Sequence, residues 1–175
     1  MTTRVWDTPR IAWAAITWLC MAAVSMALIG QHVWGHEPCP WCILQRVIMM
    51  AIGLCALLGM CWLWLHARPA WWVGLPVGVL SLLGAASALW QHTVASQSAS
   101  CNLTLADKIL YASGLDGAWP DVFAPRASCA DAHYALLGVP YAMWALLVFI
   151  LILGVSTRLM WERGARLAHP RPDTA

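Results

Sequence analysis

The sequence predicts an all-α membrane protein, an antiparallel bundle of four transmembrane helices. Two observations support this prediction. The chain is 61% hydrophobic and only 10% charged, whereas a soluble domain has about 25% charged residues. Four apolar runs are also each about as long as a helix that crosses a bilayer. The net charge of +2 comes from scattered residues, which argues against nucleic-acid binding. We therefore expect residues 1–175 to form a single membrane domain in the lipid bilayer.

The first two predicted spans cover residues 11–30 and 43–65. A helix of about 20 residues is about 30 Å long, which matches the hydrocarbon core of a bilayer. Small residues at Ser25-Met26-Ala27 resemble a signal-peptide cleavage site. The first apolar run is longer than the core of a usual signal peptide, so we expect an uncleaved helix.

The third and fourth predicted spans cover residues 71–90 and 138–157, with Pro140 near the start of the fourth, where proline is tolerated. A loop at 31–42, a turn at 66–70 and a long loop at 91–137 connect the four spans. This arrangement places both loops at one end of the bundle.

The long loop contains a stretch with apolar side chains at Leu105, Ile109 and Ala112. Together with Trp119 and Phe123, these residues predict a segment that rests on the membrane interface. The alternative is an irregular loop that a few buried side chains hold in place.

Charge predicts the orientation. Seven arginines fall in the N-terminal segment, the 66–70 turn and the C-terminal tail: Arg4, Arg10, Arg68, Arg158, Arg163, Arg166 and Arg171. The two loops carry only Lys108 and Arg126. Positive charge accumulates on the cytoplasmic side, so both termini and the turn are predicted there. In a bacterial inner membrane the two loops would then face the oxidising periplasm, where disulfides persist.

Tryptophans lie near the ends of the apolar runs, as in an interfacial aromatic belt: Trp13, Trp34, Trp41, Trp71, Trp72, Trp90, Trp144 and Trp161. Packing inside the bundle is the alternative explanation for about half of them.

The seven cysteines divide by position. Three lie inside apolar runs, where we expect unreactive thiols: Cys20, Cys55 and Cys61. Four lie in or beside the polar loops: Cys39, Cys42, Cys101 and Cys129. Four cysteines allow three pairings, and their spacing alone does not choose among them.

The most informative stretch is Glu37-Pro-Cys-Pro-Trp-Cys-Ile-Leu-Gln-Arg46. Cys42 is predicted near the N-terminus of the second helix, where backbone amides and the helix dipole favour a thiolate. Arg46 follows one turn later on the same face and adds a positive charge. This pattern predicts a redox-active dithiol.

Three alternatives remain at this point. His32 and His36 are spaced to complete a metal site with the cysteines, although no second close cysteine pair is present. A Cys39–Cys42 disulfide could be purely structural, but so short a loop gives little entropic stabilisation. Arg46 could simply extend to the lipid headgroups.

A membrane dithiol needs an electron acceptor. The sequence has no haem-attachment motif, no dinucleotide-binding glycines and no iron–sulfur spacing. A quinone dissolved in the bilayer is therefore the expected acceptor, bound near Cys42 and Arg46. His92 is a second candidate for contact with a quinone carbonyl, and a cation near a helix C-terminus is its other explanation.

The string EPCPWCILQR resembles the signature of the DsbB family, membrane quinone reductases that reoxidise the periplasmic thiol oxidase DsbA. The likeness extends over the chain, through His92-Thr93, Ser128-Cys-Ala130 and Leu137-Gly-Val-Pro140. It implies a relay from a DsbA-like partner to a Cys101–Cys129 pair, then to Cys39–Cys42, and then to the membrane quinone pool. The choice of Cys101 as the cysteine that meets the partner rests on this resemblance.

Rival functions also follow from the pattern. One rival is another quinone-linked thiol oxidoreductase, of the vitamin K epoxide reductase type, but that family carries its C-x-x-C in the last span, the reverse of the order here. The other rivals are a DsbB paralogue with a different partner and a non-enzymatic four-span protein with structural disulfides. The sequence does not distinguish ubiquinone from menaquinone.

Overall fold

The computed structural model describes residues 9–66, 71–97, 104–131 and 134–168. Its elements in chain order are α1 (Pro9–Val33), α2 (Pro40–His66), α3 (Trp71–Thr93), a 3-10 turn (Ala95–Gln97), α4 (Leu105–Ser113), α5 (Leu115–Ala118), α6 (Pro120–Phe123), β1 (Ala135–Leu136), β2 (Val139–Pro140) and α7 (Tyr141–Ala168). Cys101 and residues 67–70 of the predicted turn lie outside the described residues.

Helices α1, α2, α3 and α7 are each long and apolar enough to cross a membrane. The predicted all-α, four-span membrane architecture is therefore confirmed. Helices satisfy their own backbone hydrogen bonds, which is what a chain in hydrocarbon requires. All four helices extend past the predicted spans at one end or both, because the apolar windows end before the helical hydrogen bonding does.

The four helices pack in the order α1, α2, α3 and α7, with only sparse contact between α1 and α7. Helices α3 and α7 pack closely at Gly84. A side-chain carbon at Gly84 would lie 2.2 Å from the ring of Phe149, which is fully buried. The missing side chain therefore lets the aromatic ring press against the α3 backbone.

A seam runs between α1 and α7 because these two helices barely touch. A cavity of about 230 Å³ lies in this seam near Cys42. Another of about 150 Å³ lies farther along it, between Ile16 on α1 and Val155 on α7. The two cavities leave the bundle open on the α1–α7 side.

The last transmembrane helix begins at Tyr141, three residues later than the predicted start of the fourth span. Strands β1 and β2 form a short antiparallel hairpin just before it. At the tip, Leu137 and Gly138 both have positive φ angles, 55° and 79°, which a hairpin turn needs and a helix forbids. The backbone N–H of Tyr141 then donates to the carbonyl of Tyr134.

The long loop folds into the short helices α4, α5 and α6. Thr104 caps α4, and its hydroxyl and the Asp107 carboxylate each accept from the other residue's backbone N–H. Leu105 and Ile109 are exposed on α4, as expected for a surface-lying segment, and Trp119 is exposed too. Phe123, which was predicted to share the membrane interface, is instead buried with Ile43 and Leu110. This loop is therefore anchored to α2 by an apolar contact.

Tryptophans at the helix ends behave in two ways. Trp34, Trp72, Trp90 and Trp161 are exposed, as a belt at the membrane interface requires. Trp13 and Trp41 are buried inside the protein. The packing explanation therefore holds for Trp13 and Trp41, and the interfacial belt stays a prediction for the exposed group.

Candidate functional site: a cysteine cluster beside a membrane cavity

Cys39 caps the N-terminus of α2. Its carbonyl accepts from the N–H of Ile43, 3.1 Å away, and its Sγ accepts from the N–H of Cys42, 3.4 Å away. Sulfur thus occupies the position where the side-chain oxygen of a serine, threonine, aspartate or asparagine commonly caps a helix. Pro40 is the first helical residue, where the missing N–H is no loss. The C-x-x-C pair is therefore built into the start of a helix, as the sequence predicted for Cys42.

Three of the four loop cysteines meet at this helix end. The Sγ atoms of Cys39 and Cys42 are 3.0 Å apart. Cys129 packs against the same buried cluster, and its sulfur accepts hydrogen bonds from the Cys39 thiol and from the backbone N–H of Trp41. Cys39 is fully buried. The structure thus brings Cys129 to Cys39, while Cys101 lies outside the described residues.

The central thiol and its neighbour differ in proton affinity. Hydrogen bonding of the Cys39 thiol with the sulfurs of Cys129 and Cys42, together with burial, raises the pKa of Cys39. The bond from Cys39 lowers the pKa of Cys129, with burial opposing it and the Trp41 N–H adding to it. Of this pair, Cys39 therefore keeps its proton and Cys129 ionises more readily. Because the thiolate is the reactive form, Cys129 is the better nucleophile.

Backbone hydrogen bonds hold Cys129 in this position. The N–H groups of Arg126 and Ala127 both donate to the carbonyl of Pro38, over 2.9 and 3.4 Å. Pro38 directly precedes Cys39, so the long loop is attached beside the C-x-x-C pair. This contact brings the two cysteine-bearing segments together.

Arg46 is the buried charge of the site, with only 5% of its surface exposed. Its guanidinium donates to the side-chain oxygen of Gln31, 3.0 Å away, and to the backbone carbonyl of Val122. Within the part of the chain that the structure describes, its Nε has no hydrogen-bond partner. The side chain thus bonds to protein groups rather than extending past them, contrary to the headgroup alternative.

Gln31 completes the attachment of the long loop. Its side-chain nitrogen donates to the carbonyl of Asp121 over 2.7 Å, while its oxygen accepts from Arg46. Two neighbouring carbonyls of α6, those of Asp121 and Val122, are therefore held by two buried side chains from different transmembrane helices.

The 230 Å³ cavity in the α1–α7 seam opens beside this cluster. Cys42 and Arg46 line it on the α2 side, and Tyr141 and Trp144 line it on the α7 side. Most of the remaining wall is apolar. It is a mainly apolar chamber with a thiol and a cationic group in its wall.

The rim of the cavity joins the two loops. The rings of His36 and Tyr134 stack with centroids 4.1 Å apart and planes 16° apart. The N–H of Glu37 donates to the Tyr134 hydroxyl over 3.2 Å. Both loops therefore contribute to the mouth of the cavity.

The histidines suggested by the sequence occupy other places. His92 is exposed in the last turn of α3 and is not among the residues that line the cavity, so its contact with a quinone stays a prediction. His32 is exposed, whereas His36 belongs to the rim.

Sequence reasoning missed three buried glutamines at the site. Gln31 binds Arg46, and Gln45 donates to Gln91 over 2.7 Å. Gln91 donates in turn to both sulfurs of the C-x-x-C pair. A signal was present for Gln45, because an uncharged amide inside an apolar run has to find a partner there, whereas Gln31 and Gln91 fall just outside the predicted spans. The choice of partner was not readable from the sequence.

Comparison with known proteins agrees with this architecture. The model of the family described as "Disulfide bond formation protein DsbB" matches residues 9–159. A disulfide bond formation protein B of Verminephrobacter eiseniae is 35% identical, with 95% of this chain and 96% of the relative covered. One from Dechloromonas aromatica is 31% identical, with 86% and 92% covered. A disulfide bond formation protein B 1 of Pseudomonas savastanoi is 32% identical, with 76% and 78% covered. The chain belongs to the DsbB family of disulfide bond formation proteins.

Proposed function

We propose that this protein is a thiol:quinone oxidoreductase of the bacterial inner membrane that reoxidises a periplasmic DsbA-like thiol oxidase. The observation that carries the proposal is the continuity of the site. Cys129, Cys39 and Cys42 are in contact, and Cys42 lines the cavity in the seam between α1 and α7. Such a chain of sulfurs is what electron transfer from a protein thiol to a membrane-dissolved acceptor requires.

The first exchange takes place in the long loop. A thiolate of the reduced partner attacks a Cys101–Cys129 disulfide, forms a mixed disulfide with Cys101 and releases Cys129 as a thiolate. The partner's second thiol then resolves the mixed disulfide, so the partner leaves oxidised. Burial of Cys39 supports the need for this loop pair, because a foreign thiol has no direct access to a fully buried sulfur.

The second exchange passes the reducing equivalents inward. The thiolate of Cys129 attacks Cys39 of a Cys39–Cys42 disulfide, so that a Cys39–Cys129 bond forms and Cys42 is released. A thiolate from Cys101 then attacks Cys129, restores the loop disulfide and leaves Cys39 as a thiol. The hydrogen-bonded contact between Cys39 and Cys129 supports this route, since the reacting sulfurs already touch.

The cavity beside Cys42 suits a quinone. Its walls are mainly apolar, and the buried Nε of the Arg46 guanidinium in them finds no partner among the described residues. A buried donor left unpaired costs about 1–3 kcal/mol, which a carbonyl acceptor would recover. A quinone bound there accepts the two electrons and two protons that the Cys39–Cys42 dithiol loses on forming its disulfide. Arg46, Tyr141 and Trp144 would hold its ring beside Cys42.

Thermodynamics supports a quinone acceptor. DsbA has a reduction potential of about −120 mV, so only a stronger oxidant can recharge it. A gap of about 30 mV is worth about 1.4 kcal/mol for two electrons. Respiratory quinones can provide such a gap, whereas the cytosolic glutathione couple, at about −220 mV or lower, cannot.

The proposed orientation puts both termini in the cytoplasm and the cysteines in the periplasm. The arginine asymmetry supports it, together with the oxidising chemistry of that compartment. Cysteine labelling of intact cells with an impermeant maleimide tests it. Single cysteines introduced at Trp119 and Ser113 of the long loop should be labelled, and one at Trp161 of α7 should not.

The function itself is tested with the purified protein, a reduced DsbA-type protein and either ubiquinone or menaquinone analogues. Partner thiols should be lost and quinol formed in a one-to-one ratio of disulfide to quinol. The Cys42→Ser variant should form no quinol. Oxidation of the partner without quinone consumption would overturn the proposal.

Thiol trapping in cells separates an enzyme from a four-span protein with structural disulfides. Depleting quinone should convert the four loop cysteines and the partner to their reduced forms. If all four stay oxidised and the partner is unaffected, the disulfides are structural.

A further inference from the structure

Gln91 and Gln45 form a buried amide pair next to the C-x-x-C sulfurs. Gln91 lies near the end of α3 with 7% of its surface exposed, and Gln45 lies on α2 with 5% exposed. The side-chain nitrogen of Gln45 donates to the side-chain oxygen of Gln91 over 2.7 Å. Two amides buried in a membrane protein must satisfy each other or a neighbour.

The bond between the amides fixes which end of Gln91 faces the cysteines. With its oxygen occupied by Gln45, the NH2 group of Gln91 points to the sulfurs, 3.1 Å from Cys42 Sγ and 3.3 Å from Cys39 Sγ. These two sulfurs are 3.0 Å apart, so one NH2 group with two hydrogens serves both. The pair thus delivers an oriented donor to both sulfurs.

We propose that Gln91 is a further catalytic residue, which stabilises the negative charge that forms on the Cys39–Cys42 pair, and that Gln45 is its positioning residue. The proposal rests on the redox role proposed above for that pair. A donor bond to a charged sulfur is roughly twice as strong as one to a neutral thiol. Gln91 therefore favours the thiolate over the thiol.

An amide suits this role because it has no proton to lose. A lysine or histidine at the same place would bring its own charge and titrate with the thiols, and a carboxylate would repel the thiolate. Arg46 already supplies the positive charge on the cavity side, with its guanidinium bonded to Gln31 and Val122. Gln91 approaches the sulfurs from α3, so charge on them is stabilised from two helices.

The test is the pH dependence of alkylation in the reduced, full-length protein. Iodoacetamide reacts with the thiolate, and peptide fragmentation assigns the label to Cys39 or Cys42. The midpoint is the pH at which a cysteine reaches half of its maximal alkylation rate. In Gln91→Leu, the midpoint for Cys42 should rise by about one unit, so that its alkylation rate near neutral pH falls about tenfold. An unchanged midpoint in a folded Gln91→Leu protein overturns the proposal.

Gln91→Glu keeps nearly the same volume and guards against misfolding of the leucine variant. Its carboxylate cannot donate when ionised, so the midpoint for Cys42 should rise at least as far. A midpoint equal to that of the parent would contradict the proposal. Ser87→Ala is the matched control, because Ser87 lies one turn earlier on α3, is buried, and within the described part of the chain bonds only to the Gly84 carbonyl of its own helix. It should leave the midpoint unchanged.

Gln45 is tested through a double-mutant cycle. Gln45→Leu should raise the midpoint less than Gln91→Leu, because Gln91 keeps its amide but loses its orientation. The double variant should match Gln91→Leu alone, since Gln45 acts only through Gln91. Additive shifts would overturn the positioning role.

The same measurement distinguishes this inference from the proposed function, because alkylation requires neither quinone nor partner. A raised midpoint in a protein that never reduces quinone would uphold the role of Gln91 on the thiols and refute the quinone acceptor. An unchanged midpoint in a protein that does reduce quinone would refute the role of Gln91 and uphold the quinone acceptor.

Discussion

The guanidinium of Arg46 donates a hydrogen bond to the backbone carbonyl of Val122, so a buried charge on α2 holds a turn of the long loop. The same side chain lines the cavity beside Cys42. Arg46 therefore links the loop that carries Cys129 to the chamber proposed for the electron acceptor. A substitution of Arg46 should therefore affect both the loop and the cavity.

Arg46→His should raise the apparent KM for quinone about tenfold or more, because an imidazole is shorter and loses the fixed guanidinium donors. Steady-state quinone reduction with a saturating reduced partner measures this, and thermal unfolding in detergent follows stability. We expect the change in quinone kinetics to exceed the change in stability. Unaltered quinone kinetics would leave Arg46 as a loop anchor only.

Gln31→Leu should loosen the loop while leaving the charge of Arg46 in place. Losing the 2.7 Å bond to Asp121 frees that carbonyl of α6. Hydrogen exchange over residues 119–124 should become several-fold faster, since the local opening free energy falls by about 1 kcal/mol. Thr17→Val on α1 is a control, because the hydroxyl of Thr17 donates to the Trp13 carbonyl of its own helix. Equal exchange in the parent and Gln31→Leu would show that α6 is held elsewhere.

Cys39→Ala should make Cys129 less reactive at neutral pH. The Cys39 thiol holds the pKa of Cys129 below its ordinary value of 9.0, and removing this donor lets the pKa of Cys129 rise. Because the thiolate is the reactive form, the alkylation profile of reduced Cys129 should move to higher pH and its rate at pH 7 should fall. The profile is measured on the fully reduced protein. A shift to lower pH would contradict the hydrogen-bond assignment.

Gly84→Ala should destabilise the bundle by about 1–3 kcal/mol, because the added carbon would overlap the Phe149 ring. The unfolding temperature in detergent should fall. Gly154→Ala on α7 is the matched control, since an added carbon there meets no atom of the described residues within 4 Å. Phe149→Leu combined with Gly84→Ala should recover part of the loss. Equal effects of the two alanine substitutions would refute the close contact.

Features encoded by short-range pattern were predictable from the sequence. Four apolar runs gave the spans, and the position of Cys42 before a long apolar run placed it in the first turn of a helix. The start of the last helix was predicted too early because the apolar Val139 continues the apolar run of that helix in the sequence. In the structure Val139 belongs instead to strand β2, which follows the left-handed turn at Leu137 and Gly138.

Features that depend on contacts between distant segments were not predictable. The backbone N–H of Arg126 donates to the carbonyl of Pro38, and the Gln31 side chain donates to the carbonyl of Asp121. Every residue carries such a backbone carbonyl. No residue type signals such an acceptor. The burial of Phe123 has the same origin, because one aromatic residue suits either lipid or protein.

The seam between α1 and α7 has a consequence for kinetics. A molecule that reaches the cavity sideways from the bilayer never passes through water, so the concentration that governs its binding is its mole fraction in the lipid. Adding empty lipid or detergent micelles at a fixed total amount of quinone should therefore slow the reaction. The added lipid or detergent lowers the mole fraction of quinone in that phase, although the quinone concentration in the whole sample stays constant. Dilution with buffer alone should leave quinone occupancy of the cavity unchanged.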